Sequence, residues 1–184
     1  MRLALAAALL ASLPASARVP DAADVLARTA AWARELPAVA VEYGLHLTED
    51  GRERQGTLTL TARRAVECTE TALLQSPALT LWGALLRGEG AAALSAAGVD
   101  ASTVALYHLH RRVVVILGAR PMDGARPQVW FDRDTGAPVR LLLGSEDVML
   151  FDHDFPGTQG RFPGTLRWRA GAARADGVFR RTNP

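Results

Sequence analysis

Apolar and polar residues follow two different periods in the first part of the chain. From residue 22 to residue 36, apolar side chains recur at near-helical spacing. Asp21 is suited to cap the start of this helix, and Pro37 ends it because proline lacks the amide hydrogen that a helix interior requires. From residue 39 to residue 47 the period falls to two, which predicts a strand.

A turn and a second strand follow the first predicted strand. The polar run 48–51 marks the turn, and Leu58 and Leu60 then alternate with threonines. These two strands are predicted to form an antiparallel hairpin. Residues 77–97 instead carry leucines, alanines and a tryptophan, interrupted by glycines, and this pattern predicts two short apolar helices inserted after the hairpin.

The second half of the chain returns to short runs that are typical of strands and are separated by turn residues. The predicted strands are 104–109, 113–117, 128–131, 139–143, 148–151 and 161–170. A series of strands without alternating helices favours an antiparallel sheet. Several of these strands are apolar on both faces, so both faces need a cover. We expect a mainly β fold with helices: a strongly curved antiparallel sheet, forming an unclosed half-barrel, with an N-terminal helix and the insert 77–97 as a helical lid.

The first 17 residues have the three parts of a cleavable signal peptide. Arg2 provides a positive start, residues 3–13 form an apolar run, and Ala15-Ser16-Ala17 fits the A-x-A pattern before a cleavage site. The next residue is Arg18, where a lipid-anchored precursor would carry a cysteine. The apolar run is too short to cross a bilayer, which takes about 20 apolar residues. We therefore expect residues 18–184 to form one periplasmic domain that does not span the membrane.

Charge and cysteine content exclude several classes of function. The chain has 21 basic and 19 acidic residues, and every basic residue is an arginine. These arginines are scattered and are not interleaved with aromatic residues, which argues against nucleic-acid binding. Cys68 is the single cysteine, so no intramolecular disulfide can form, and a buried inert thiol is favoured over a catalytic one.

The polar residues that could carry chemistry do not form a recognisable constellation. The run from Asp132 to Gly136 has oxygen ligands like those of a calcium loop, but Leu143 stands where that loop requires a glutamate, so a hairpin turn is favoured. His108 and His110 lack the accompanying ligands of a zinc site. Neither a G-x-S-x-G motif nor a glycine-rich phosphate loop is present. The sequence therefore predicts a non-enzymatic protein with no catalytic residues, no metal and no cofactor.

A short motif in the second half of the chain resembles a known family. Residues 128–142 contain a D-x-x-T-G-x-P hairpin, as in the LolA-like outer-membrane lipoprotein sorting proteins. Residues 113–119 resemble the strand that precedes this hairpin in that family, and residues 160–166 resemble its G-x-x-F-P approach to a late strand. The resemblance implies an unclosed β-barrel whose concave face and lid helices enclose an apolar cavity for acyl chains.

The apolar content of the chain, 49%, agrees with either a cavity or a well-filled core. If the cavity exists, we expect it to be lined by Val41, Tyr43, Leu45, Leu60, Trp82, Leu85, Leu86, Trp130, Leu141 and Trp168. Its ligand would be a lipid or an acylated lipoprotein, carried to the outer membrane or sensed there. The alternative is a structural or interaction module of the envelope with a filled core, which docks an edge strand or an apolar patch onto an envelope protein.

Overall fold

The computed structural model describes residues 19–121, 123–153 and 162–183. The predicted signal peptide and the cleavage site before Arg18 lie outside these residues. The first described element is helix α1 (Ala22–Glu35), which begins as predicted at Asp21. The Asp21 carboxylate accepts a hydrogen bond from the Asp24 amide at 2.8 Å, and so satisfies one of the free N–H groups at the start of the helix.

Three further helices lie between the first strands and the later ones. They are α2 (Thr71–Leu74), α3 (Pro77–Leu86) and α4 (Gly90–Ala96). The strands are β1 (Ala40–Glu49), β2 (Arg52–Leu60), β3 (Val66–Cys68), β4 (Val104–Leu109), β5 (Arg112–Leu117), β6 (Gln128–Asp132), β7 (Pro138–Leu143), β8 (Glu146–Phe151), β9 (Thr165–Ala170) and β10 (Ala173–Asn183). The predicted hairpin, the two helices of the insert and the predicted later strands are therefore confirmed as elements. The strand predicted for 161–170 begins only at Thr165, and residue 161 lies outside the described residues.

All the strands belong to one antiparallel sheet with the order β3-β2-β1-β10-β9-β8-β7-β6-β5-β4. The two end strands, β3 and β4, do not pair with each other among the described residues, so this sheet is unclosed. The predicted fold class is thus confirmed.

The sheet curves strongly around helix α3. Strands β3 and β7 are six places apart in the sheet, a distance of about 29 Å if the sheet were flat. Both strands nevertheless contact α3, and a helix with its side chains is only about 10–12 Å wide. Helix α3 therefore lies inside the concave face, where α1, α2 and α4 also contact it.

Strand β10 has no counterpart among the predicted elements, although it is the strand that joins the two halves of the sheet. It pairs with β1 on one side and with β9 on the other. Two of its inward positions are Ala175 and Gly177, so the alternation of large apolar side chains that marks a strand is missing. A Cβ atom at Gly177 would stand 3.0 Å from the Leu45 side chain, which explains why this position is small.

Both faces of the sheet bury apolar side chains, as the two-sided pattern predicts. The larger cluster lies on the concave face and includes residues of α1, α3 and α4 as well as most strands. A smaller cluster consists of Val114, Ile116, Trp130 and Val139. Since side chains alternate along a strand, β5 contributes Val114 and Ile116 to one face and its intervening residues to the other. We refer to the face of the smaller cluster as the outer face.

Candidate functional site

Nine of the ten residues predicted to line a cavity lie together in the concave cluster. None of the nine is more than 3% exposed, and their side chains pack against one another and against α1 and α4. They are Val41, Tyr43, Leu45, Leu60, Trp82, Leu85, Leu86, Leu141 and Trp168. The interior at these positions is filled by protein side chains, so a ligand would have to displace part of this packing.

Trp130, the tenth of these residues, lies on the outer face. It pairs with Arg140 across β6 and β7, whereas Leu141 pairs with Val129 on the concave side. The Trp130 indole donates a hydrogen bond to the Gln128 side chain at 2.8 Å, and the Arg140 guanidinium lies 4.9 Å from its ring centre. Trp130 thus has its own polar and cationic partners and does not share the environment of the other nine.

Helix α3 is apolar except for Thr80, which is exposed. Its ten residues include eight that are buried: Ala78, Leu79, Leu81, Trp82, Gly83, Ala84, Leu85 and Leu86. A helix that is apolar over most of its surface requires extensive burial, and the curved sheet together with the neighbouring helices provides it. This burial explains why the sequence pattern of residues 77–86 is not amphipathic.

A polar contact fixes the start of α3 against the sheet. Ser76 caps the helix by accepting a hydrogen bond from the Leu79 amide at 3.2 Å. Its hydroxyl donates to the Glu146 carboxylate on β8 at 2.7 Å, and the Ala78 amide donates to the same oxygen at 3.1 Å. Neither Ser76 nor Glu146 was singled out by the sequence, although a serine directly before a proline and an apolar run is a recognisable helix start.

Aromatic side chains connect α3 to the centre of the sheet. The Tyr43 ring centre lies 6.4 Å from the Trp82 ring centre and 6.4 Å from that of Phe179 on β10. The Tyr43 hydroxyl donates a hydrogen bond to the Pro163 carbonyl at 3.0 Å. Burial raises the pKa of Tyr43 far above its ordinary value, so this hydroxyl stays protonated and remains a donor.

Two buried indole groups on the concave side have no hydrogen-bond partner among the described residues. They are the Nε1 atoms of Trp82 on α3 and of Trp168 on β9. Buried N–H groups are nearly always paired in proteins, and an unpaired one costs about 1–3 kcal/mol. The concave interior therefore offers two unused donors in otherwise apolar surroundings.

Arg64, in the turn between β2 and β3, ties several elements together. Its Nη2 atom donates hydrogen bonds to the carbonyls of Leu36 and Pro37, directly after α1, at 2.8 and 3.0 Å. Its guanidinium also lies 5.5 Å from the ring centre of Phe162. Desolvation lowers the pKa of Arg64 from its ordinary value, but an arginine remains charged at neutral pH.

The run that resembles a calcium loop is a hairpin turn between β6 and β7, as predicted. One carboxylate oxygen of Asp132 accepts hydrogen bonds from the amides of Asp134 and Thr135 and from the Thr135 hydroxyl, at 2.9–3.0 Å. The Asp132 amide donates to the Ala137 carbonyl at 2.8 Å. The motif on which the family resemblance partly depends therefore has a structural role, because its side chains close this turn.

Two of the histidines, His46 and His108, are far apart in the fold. His46 lies on β1, seven places along the sheet from β4, which carries His108. Burial raises the pKa of the Cys68 thiol, which disfavours the reactive thiolate. Within residues 19–121, 123–153 and 162–183, no three His, Cys, Asp or Glu side chains are placed to share a metal ion. Over the same residues, no helix is long and apolar enough to cross a membrane.

Comparison with known proteins finds likeness in structure at low sequence identity. No family profile matches the chain, and no curated protein matches it. Among solved structures, a LolA-superfamily protein from Nitrosomonas europaea is similar to this chain, with 11% sequence identity and a TM-score of 0.49. The likeness covers 89% of this chain and 93% of the other.

Proposed function

We propose that this protein is a non-enzymatic, periplasmic binding protein for the acyl chains of a lipid or an acylated lipoprotein. The observation that carries the proposal is that one face of a curved sheet encloses a helix, α3, whose buried residues are all apolar. The acyl chain would lie between α3 and the concave face, among the nine residues clustered there. The protein would act as a carrier to the outer membrane or as a sensor there, after export by the signal peptide 1–17.

The energetics of burying an acyl chain support this proposal. Each methylene moved from water into an apolar site contributes about 0.8 kcal/mol. A 16-carbon chain therefore offers on the order of 10 kcal/mol before the costs of association and ordering are subtracted. Part of this free energy would be used to separate α3 from the sheet, because the interior is filled in the unliganded protein.

The two unpaired indole donors also support an acylated ligand. An acyl ester or amide carries a carbonyl oxygen beside its hydrocarbon chain, and such an oxygen accepts hydrogen bonds. A ligand whose carbonyl reached Trp82 or Trp168 would satisfy a donor that is otherwise unpaired. A purely hydrocarbon ligand would leave both indole donors without a hydrogen-bond partner.

Native mass spectrometry of the protein purified from a bacterial periplasm tests the proposal most directly. We expect a fraction of the protein to carry an additional mass that corresponds to a lipid. A bare protein mass, together with no binding of an added fluorescent acyl ester, would contradict the proposal. An uncharged ester is the appropriate probe because it reports on burial of the chain and not on attraction to a charged head group.

A substitution at the start of α3 tests where the chain binds. Trp82 is unsuitable, because truncating a fully buried tryptophan typically costs about 3–5 kcal/mol of stability. Ser76→Ala removes only the cap of α3 and its hydrogen bond to Glu146, at a cost of about 0.5–2 kcal/mol. If α3 must move to admit the ligand, weakening its attachment increases the fraction of protein molecules that can bind. The variant should then bind the acyl ester more tightly.

Ser95→Ala is the matched control for this experiment. Ser95 is exposed on α4, so the same substitution there should leave binding of the ester unchanged. Equal affinity in wild type, Ser76→Ala and Ser95→Ala would mean that α3 does not cover the site.

A second candidate function is an interaction module of the envelope with a permanently filled core. The edge of β4 favours it, because β4 is a terminal strand in the sheet of the described residues and exposes Leu106 by 36% and Tyr107 by 39%. An unpaired edge can accept a strand from a partner protein. The two functions differ in the acyl-ester experiment, since a filled module binds no ester in any variant.

A further inference from the structure

A cavity of about 580 Å³ lies at the end of the sheet where the β4–β5 turn approaches the end of β8. This volume falls within the range of about 300–1,000 Å³ that is usual for small-molecule sites. We propose that the cavity binds an amphiphilic anion, that is, a molecule with an apolar group and a carboxylate or a phosphate. None of the nine residues clustered beneath α3 lines this cavity, so the site does not depend on movement of α3.

The inner wall of the cavity is apolar. Its apolar lining residues are Leu109, Val114, Val139, Leu150 and Phe151. Val114 and Val139 belong to the apolar cluster of the outer face, whereas Leu150 belongs to the concave cluster. A ligand could bury a hydrocarbon group here without displacing any of the nine residues beneath α3, because none of them lines the cavity.

The exposed polar residues of the lining form a rim that has an excess of positive charge among the described residues. They are His110, Arg111, Arg112 and Asp152, whereas the fifth polar residue of the lining, His153, is buried. Two arginines thus face a single rim carboxylate, and that carboxylate already accepts a hydrogen bond from the Thr165 hydroxyl at 3.0 Å. The Arg112 guanidinium lies 3.6 Å from the Asp132 carboxylate, so it is partly neutralised.

Arg111 is the residue best placed to bind an anion. It is exposed, and it makes no ion pair or side-chain hydrogen bond with any described residue. Residues 110 and 111 form the two-residue connection between Leu109 and Arg112, which are paired across β4 and β5. This tight turn keeps Arg111 at the rim, beside the apolar wall.

The combination of an apolar wall and a cationic rim indicates the chemistry of the ligand. A guanidinium group binds carboxylate and phosphate oxygens through paired, charge-assisted hydrogen bonds. The apolar wall contributes burial of hydrocarbon surface. A fatty acid supplies this combination with a carboxylate, and a lipid-type phosphate ester supplies it with a phosphate.

Isothermal titration of the purified protein with dodecanoate and with dodecyl phosphate tests this site. The two probes have the same chain and differ in the head group. We expect at least one of them to bind, and Arg111→Ala to weaken that binding by about ten-fold or more, because it removes a charge-assisted contact. Binding of dodecyl phosphate alone would identify a phosphate ligand, and binding of dodecanoate alone would identify a carboxylate ligand.

Two control variants keep this result distinct from the proposed acyl site. Arg120→Ala removes an exposed arginine outside the cavity lining and should retain wild-type affinity. Ser76→Ala alters α3 and should leave the Arg111-dependent binding unchanged. The proposal is overturned if neither anion binds, or if Arg111→Ala and Arg120→Ala have the same affinity.

Discussion

Tyr43 contributes to the interior through both its ring and its hydroxyl group. The ring packs near Trp82 and Phe179, while the hydroxyl donates to the Pro163 carbonyl just before β9. Because Tyr43 is fully buried, this hydrogen bond is shielded from water. The bond thereby links β1 to the segment that leads into β9.

Removing the Tyr43 hydroxyl tests how much this hydrogen bond contributes to the free energy of unfolding. Tyr43→Phe keeps the ring but leaves the buried Pro163 carbonyl without this donor, so we expect the free energy of unfolding to fall by about 1–3 kcal/mol. Urea unfolding followed by tryptophan fluorescence measures the change. Tyr107→Phe is the control, because the Tyr107 side chain is 39% exposed and water can replace its hydroxyl contacts. An equal effect in both variants would contradict this account.

At the scale of elements, helix α1 docks onto the β6–β7 turn. The buried Thr29 hydroxyl has one proton to donate and lies within hydrogen-bond distance of two carbonyls, those of Val25 within α1 and Gly136 in the turn, at 3.0 and 2.9 Å. Gly136 has a φ of +76°, a conformation that favours glycine. A Cβ atom at this position would stand 2.7 Å from the backbone of Arg28 and Thr29, so the helix and the turn can approach this closely only with glycine.

A pair of glycine substitutions isolates this close approach. Gly136→Ala combines an unfavourable φ with a clash against the helix backbone, so we expect a loss of about 2–4 kcal/mol of stability. Gly144 has a similar φ of +60°, but nothing lies within 4 Å of a Cβ atom there. Gly144→Ala should therefore cost only about 1 kcal/mol. Thermal unfolding of the two variants measures the difference, and equal losses would refute the steric explanation.

At the scale of the whole molecule, the sheet and the helices are held by different kinds of interaction. Strand β5 is hydrogen-bonded to β4 on one side and to β6 on the other. Helix α3 is held to the sheet by apolar packing and by the Ser76–Glu146 contact. Separation of α3 from the sheet therefore breaks few hydrogen bonds, whereas separation of β5 breaks two ladders.

Hydrogen exchange followed by mass spectrometry should detect this difference. We expect peptides from α3 and α4 to exchange faster than peptides from β5, because local opening of the helical layer costs less than opening of the sheet. If the acyl ester binds, its addition should slow hydrogen exchange in α3. Equally slow exchange in α3 and β5, with no effect of the ester, would show that the helical layer is part of a permanent core.

Local patterns were sufficient to predict most of the elements. Helix α1, the first hairpin, α3, α4 and the strands from β4 to β9 each carry their own periodicity or turn residues. The signal peptide and the ligand remain predictions, because the first lies outside the described residues and no bound molecule tests the second. Strands β3 and β10 and helix α2 were missed, since β3 and α2 are very short and β10 has small inward residues.

By itself, then, the sequence determined the types of most elements and the two-sided burial of the sheet, because periods of 3.6 and 2 are set by neighbours along the chain. Only the tertiary structure decided which face each residue occupies. An irregularity between Trp130 and Phe131 shifts the register of β6 against β7, and Trp130 lies on the outer face. The tertiary structure also placed α3 inside the sheet and brought β5, β7 and β8 to one cavity. These outcomes depend on pairing between segments far apart in sequence, which a local pattern does not encode.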